Sequence, residues 1–144
     1  MSHVMTQSER EAFLAEARVA ILSIARADRG PLAVPVWYLY EPGGDVRFWT
    51  GGDSHKARLL LLAGRATLTV QNPTPPYGYV SVEGPITRLE PVQFERDLRP
   101  LARRYLGAEA GERYLAGLGG PAAGSGDLLI HLRPEHWLAR DVTL

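Results

Sequence analysis

The chain has 144 residues, 16 basic and 16 acidic side chains, and no cysteine. That length suits one domain over residues 1–144 with a core of its own. A net charge of zero speaks against a dedicated DNA- or RNA-binding protein, and the lack of thiols excludes disulfides, cysteine-ligated zinc and iron–sulfur clusters.

The N-terminal residues 1–11 lack the basic-then-apolar layout of a signal peptide. The longest apolar run, residues 59–63, is far too short to cross a bilayer. A soluble, cytoplasmic protein with no membrane or nucleic-acid partner is expected.

In chain order, Ser8 can cap a helix over residues 9–18, with Glu11 completing a capping box and Phe13, Leu14 and Ala17 as its apolar stripe. From Val19 the period falls to two, and residues 19–25 read as a strand. A turn at Asp28-Arg29-Gly30-Pro31 leads to a second strand over residues 32–41. Pro35 inside it has no N–H to donate, which predicts an edge or a bulge. A turn at 42–45 and a third strand at 46–50 complete what reads as a meander.

Ser54 opens a short helix over residues 54–63, closed by Gly64. A fourth strand (66–71), a rigid proline-rich loop (72–76) and a long fifth strand (77–89) bent at Gly84-Pro85 follow. Pro91 can begin a helix reaching Leu106, interrupted at Pro100, with Phe94, Leu98, Leu101 and Tyr105 on one face. A second helix over 108–118, a flexible loop at 119–126 and a sixth strand at 127–132 come next. Residues 133–137 read as a turn, and the tail has room for a final strand. Strands at hairpin spacing with few, peripheral helices predict a mainly β fold, an antiparallel sheet closed into a barrel, and not a doubly wound sheet.

The stretch Phe48-Trp49-Thr50-Gly51-Gly52-Asp53-Ser54-His55-Lys56-Ala57-Arg58 carries the clearest chemistry. A helix start offers free backbone N–H groups and a positive dipole end, and Lys56 and Arg58 add full charge, so the layout is that of a phosphate cradle. An ordinary capped surface helix is the other reading. Lys56 and Arg58 are two apart and point in different directions, so both reach one phosphate only at the helix end. His55 there faces either ligand or solvent. Trp37, Tyr38, Trp49, Tyr77 and Tyr79 could line a slot for a planar ring or simply pack the core, and Trp137 poses the same choice. Gln71 and Asn72 could read the edge of a heterocycle, or Asn72 could build a turn before Pro73. Arg96, Arg99, Arg103 and Arg104 read as a solvated face with pairs such as Glu95–Arg99. HExxH, GxSxG and P-loop signatures are absent, no carboxylate pair is placed for acid–base work, and any enzymatic chemistry is expected from a cofactor.

Taken in order, Ala20-Ile21-Leu22-Ser23-Ile24, Pro31-Leu32-Ala33-Val34-Pro35-Val36-Trp37-Tyr38, Ser54-His55-Lys56-Ala57-Arg58-Leu59, Tyr79-Val80-Ser81-Val82-Glu83-Gly84 and Ile130-His131-Leu132-Arg133-Pro134-Glu135 with Trp137 resemble the pyridoxamine 5′-phosphate oxidase-like superfamily, the FMN and deazaflavin split-barrel oxidoreductases. The resemblance spans about residues 11–141. It implies a six-stranded antiparallel split β-barrel, a homodimer, and FMN (or the deazaflavin coenzyme F-420) held in the dimer groove for hydride transfer to or from a small substrate. It assigns the phosphate to Thr50, Ser54, His55, Lys56 and Arg58. It places Val34, Pro35, Val36 and Trp37 along the isoalloxazine ring and Gln71 nearby, with Trp137 a candidate contribution from the partner subunit. Ala33-Val34-Pro35 stands where true pyridoxamine phosphate oxidases carry a basic residue, and their substrate-holding C-terminal segment is not expected here. Both departures point away from vitamin B6 oxidation and towards the short FMN or deazaflavin branch. A non-catalytic binder of flavin or tetrapyrrole is the alternative from a different class.

Overall fold

The computed structural model describes residues 2–142, and among them nine strands and four α-helices. The strands are β1 (Ser2–Val4), β2 (Ala20–Ile24), β3 (Leu32–Val36), β4 (Tyr38–Leu39), β5 (Val46–Thr50), β6 (Arg65–Gln71), β7 (Tyr79–Pro91), β8 (Leu128–Leu132) and β9 (His136–Val142). The helices are α1 (Gln7–Ala15), α2 (His55–Ala63), α3 (Arg99–Leu106) and α4 (Ala108–Gly117).

The strands pair in the order β3-β2-β6-β7-β8-β5-β4, with β9 added to β7 and β1 to β9. The two ends of that order, β3 and β4, are separated in the chain by Trp37 alone. The sheet therefore curves back on itself into a β half-barrel with helices outside, the architecture of a split barrel. The single strand expected over residues 32–41 is thus two. β3 pairs with β2, and β4 pairs with β5. The break has a physical cause: the N–H of Tyr38 donates to the hydroxyl of Tyr105 at 3.2 Å. The expected sequential pairing holds through the split, with segment 32–41 pairing β2 through β3 and β5 through β4. Pro35 sits in β3, at one end of the strand order, where a missing N–H costs no ladder bond on the outer side.

β7 serves two partners in succession. Residues from Tyr79 pair with β6 and β9, and residues from Ile86 pair with β8, with a register shift between Ile86 and Arg88. The bend falls at Gly84, where a Cβ would lie 1.8 Å from the carbonyl oxygen of Arg133, so no larger residue fits. His136 and Trp137, expected in a turn, begin β9 opposite Glu83 and Val82.

The first helix also differs from expectation. Its cap is Thr6, boxed with Glu9, two residues before the Ser8–Glu11 pair of identical spacing. It stops at Ala15 because side chains take the next carbonyls. Tyr38 donates to Leu14 O at 2.6 Å, and Arg104 to Ala15 O and Glu16 O at 2.8 and 3.0 Å. The helix expected from Pro91 begins instead as a π-turn, Phe94–Leu98, and becomes α-helical from Arg99, with Pro100 in the first turn where its missing N–H is harmless.

The barrel interior is filled by Leu22, Ile24, Tyr38, Phe48, Leu68, Val82, Ile130 and Leu132, all fully buried. A second, smaller cluster of Leu98, Ala102, Leu115 and Ala123 glues α3 and α4 together and packs on Trp49. Among the described residues no helix is long and apolar enough to cross a membrane.

Candidate functional site

Alternation along β5 turns Val46, Phe48 and Thr50 into the barrel and leaves Trp49 on the opposite face, towards α3 and α4. There a cavity of about 330 Å³ opens between barrel and helices. Pro35, Val36 and Trp37 form its sheet-side wall, Trp49 a second aromatic surface, and Leu101 and Tyr114 the helical wall, with Val19 at the rim. The ring of Trp37 stacks on Tyr105, centroids 4.9 Å apart and planes within 6°, and meets the edge of Tyr114 at 5.5 Å.

One cation lines this cavity. Lys56 is the only lysine of the chain, against fifteen arginines. Burial lowers its pKa below the ordinary lysine value, with no carboxylate acting to restore it. Lys56 is in the first turn of α2, whose start is built as the sequence suggests. Ser54 is the N-cap and accepts from Ala57 N at 3.1 Å, its hydroxyl also lies 3.1 Å from the buried Thr50 hydroxyl, and Gly64 closes the helix at φ 69°. The amine of Lys56 and flat apolar walls share this space, which suits a planar ring bearing an anionic group.

The other sequence candidates are dispersed by the helix period and the sheet register. Arg58 is exposed and donates to Asp53 O at 3.0 Å. His55 faces a separate groove of about 640 Å³ with Arg26, Arg29, Leu59 and Leu62. Val34 is half-buried opposite Leu22. Gln71 is exposed at the end of β6, opposite Tyr79. Trp137 lies under the Arg10 guanidinium, 4.6 Å from its ring centroid, and lines neither of these spaces. Asn72 accepts from Arg18 at 3.0 Å and donates to Pro76 O at 3.2 Å, so it ties the loop. Of the expected aromatic slot only Trp37 and Trp49 reach the cavity. Tyr38 fills the barrel, and Tyr77 is exposed. Tyr105 and Tyr114 take up the aromatic role instead. The apolar face of the 91–106 helix pointed to Tyr105 and Leu101, but nothing local marked Tyr114.

The arginines of the π-turn and α3 are engaged within the chain. Arg96 pairs with Asp97 and Glu90, Arg99 with Glu95 and Glu112, and Arg103 with Glu112. Among the described residues no three His, Asp or Glu side chains are grouped to hold a metal.

The fold is a mainly β half-barrel with helices outside, and its cavity brings together a lone lysine and two tryptophans. The sequence matches the pyridoxamine 5′-phosphate oxidase family over residues 6–141, and the chain belongs to that family. Solved structures with the same fold include an F420 reductase (TM-score 0.73, 23% identity, 89% of this chain and 94% of that one). An FAD-binding protein of Mesorhizobium loti (TM-score 0.65, 17% identity, 99% of both chains) and General Stress Protein 26 of Bacillus anthracis (TM-score 0.65, 18% identity, 94% of both) share it too. No curated protein matches the chain in sequence.

Proposed function

We propose that the chain is a flavin-dependent oxidoreductase that binds FMN, moves hydride to or from a small substrate, and works as a cytoplasmic homodimer of one domain, residues 1–144. The observation that carries this reading is the side chain of Lys56, the only lysine present, directed into a cavity walled by Trp37 and Trp49. Lys56, with the Ser54 end of α2, would hold the phosphate. Trp37 and Trp49 would flank the ring, and the β3 backbone at Val36 would hydrogen-bond its edge. The flavin, when bound, supplies the hydride chemistry. The cavity lining holds no carboxylate or imidazole, its titratable side chains are Lys56 and Tyr114, and water is the proposed source of a substrate proton. Gln71 and Trp137 lie outside the cavity of their own protomer, and a partner subunit is their route to the cofactor.

The outer face of the sheet supports the dimer. Pro35, Ile21, Thr69, Ser81 and Leu138 form one row across five strands, directly opposite one another in register. Ile21 and Leu138 are 45% and 54% exposed, and the row carries no charge, as a surface covered by a second copy would.

A second reading, coenzyme F-420 in place of FMN, draws on one observation. Arg26 and Arg29 stand beside His55 in the neighbouring groove, beyond the phosphate clamp, where an acidic tail would need charge. Fluorescence titration of the purified protein with FMN and then coenzyme F-420 tests both. Saturable quenching by FMN supports the first reading, and binding of coenzyme F-420 alone moves the protein to the second. Binding of FMN with no turnover by any reductant makes it a non-catalytic carrier.

A further inference from the structure

Two halves of the candidate site come from distant parts of the chain. Trp49 and the Gly51-Gly52 turn lead into α2, while residues 124–127 return from α4 to begin β8. Thr50 pairs with Leu128, which brings Gly51 beside Asp127 just past the end of the ladder. One carboxylate joins these parts. Asp127 Oδ2 accepts from the indole Nε1–H of Trp49 at 2.8 Å, and Oδ1 lies 3.4 Å from the backbone N of Gly52. Asp127 is itself held through its backbone, donating to Gly124 O at 2.8 Å and accepting from Val92 N at 3.1 Å. The two loops touch so closely that a Cβ on Gly52 would sit 2.1 Å from Gly126 O. The small core shared by α3 and α4 also packs on Trp49, so the indole is fixed at its face by apolar contact and at its edge by charge.

We infer that Asp127 is the positioning residue of the cofactor site: its carboxylate sets the plane of Trp49 and the path of the Gly51-Gly52 turn, and so presents the aromatic wall and the anion-binding start of α2 as one preformed surface. This rests on the cofactor reading above. An indole N–H paired with a carboxylate is a charge-assisted bond, and losing it frees a ring that must otherwise be immobilised when ligand binds. The carboxylate is engaged by Trp49 and Gly52.

The test uses the whole chain with FMN as probe. Asp127→Ala removes both acceptors. Asp127→Asn keeps one acceptor oxygen and folds even if the alanine variant does not. Glu112→Gln loosens the α3–α4 insert without touching either loop. FMN affinity is expected to fall roughly tenfold or more in Asp127→Ala and less in Asp127→Asn, the size of one charge-assisted bond, with no change in Glu112→Gln. In the protein without FMN, hydrogen exchange at the Trp49 indole and the Gly52 amide is expected to quicken in both Asp127 variants alone. Unchanged affinity in the Asp127 variants, an equal loss in Glu112→Gln, or unchanged exchange would each overturn the assignment. Wild-type protein that leaves FMN emission unquenched overturns the cofactor reading instead, and the exchange measurement then decides whether Asp127 sets the two loops.

Discussion

Tyr105 lies flat on Trp37, 4.9 Å between centroids, while its hydroxyl donates to Arg18 O at 2.7 Å and accepts from Tyr38 N at 3.2 Å. One side chain of α3 thus supports the cavity wall, satisfies the backbone where the strand splits, and ties down the chain entering β2. The two functions separate by substitution. Tyr105→Phe keeps the stack and leaves the Tyr38 N–H without that acceptor, so a loss of about 1–3 kcal/mol in stability is expected, with FMN affinity near wild type. Tyr105→Ala removes the stack as well, adding about 0.5–1.5 kcal/mol of aromatic contact to the cavity left behind, and FMN affinity is expected to fall too. Urea midpoints and FMN titrations of the two variants check this.

Lys56 and Arg58 lie in one turn of α2 and, as their spacing of two residues implies, face different surroundings. Lys56→Ala is expected to weaken FMN binding by about 1.5–3 kcal/mol, the worth of a charge-assisted bond. Arg58→Ala, which removes a cation already bonded to Asp53 O, is expected to change it by less than about 1 kcal/mol. Titration of the single variants checks the difference, and equal losses would return Arg58 to the site.

The lowered pKa of Lys56 also predicts a pH dependence. In the folded protein without ligand the amine gives up its proton more readily than in the unfolded chain, whose value is near 10.5. Between the lowered value and 10.5 the unfolded state binds more protons. This residue's destabilising contribution is therefore full below that window and is relieved as pH rises through it. A bound phosphate favours the ammonium, so FMN affinity is expected to fall over the same rise. Lys56→Arg keeps its proton throughout and should lose that part of the pH dependence. Titrations across the alkaline range measure it.

Much of this was legible because local signals agreed with the tertiary outcome. The α2 segment has a serine cap, an apolar run and a terminal glycine, and it appears in the structure within a residue of its expected bounds. β5 is set by strict alternation. The misreadings share a cause. Thr6–Glu9 and Ser8–Glu11 are the same capping pattern, and side chains from residues 38 and 104 decided between them. The split at Trp37 depends on Tyr105, far away in sequence. Of the cavity lining, Pro35, Val36, Trp37, Trp49 and Lys56 were named from the sequence, while Tyr114 reaches it only by long-range packing.

Asp97 offers a check on the helical insert independent of any ligand. It is 1% exposed, accepts from Gln93 N at 2.8 Å and receives both Nε and Nη2 of Arg96 at 2.8 Å. Asp97→Ala leaves Arg96 to Glu90 alone and the start of the π-turn uncapped. A loss of about 1–3 kcal/mol is expected, the cost of leaving the Gln93 N–H without its acceptor. Asp97→Asn, which keeps an acceptor for Gln93 N, should lose less. Thermal unfolding of the two variants gives the comparison.

The dimer reading is tested at Ile21, the middle of the uncharged row on β2. Ile21 is flanked by Pro35 and Thr69 and is 45% exposed in the single chain, so a charge there is tolerated by an isolated protomer. If a second copy covers the row, Ile21→Glu buries a carboxylate without a partner on each side of the contact, a cost of several kcal/mol. The variant is expected to run as a folded monomer in light scattering, where the wild type runs as a dimer. Gln71 and Trp137 are remote from the cavity of their own protomer, so a monomer would also lose what the partner contributes, and its FMN affinity should fall even though Lys56, Trp37 and Trp49 are untouched. A monomeric wild type, or a monomeric variant with full FMN affinity, would place the whole binding site within one chain.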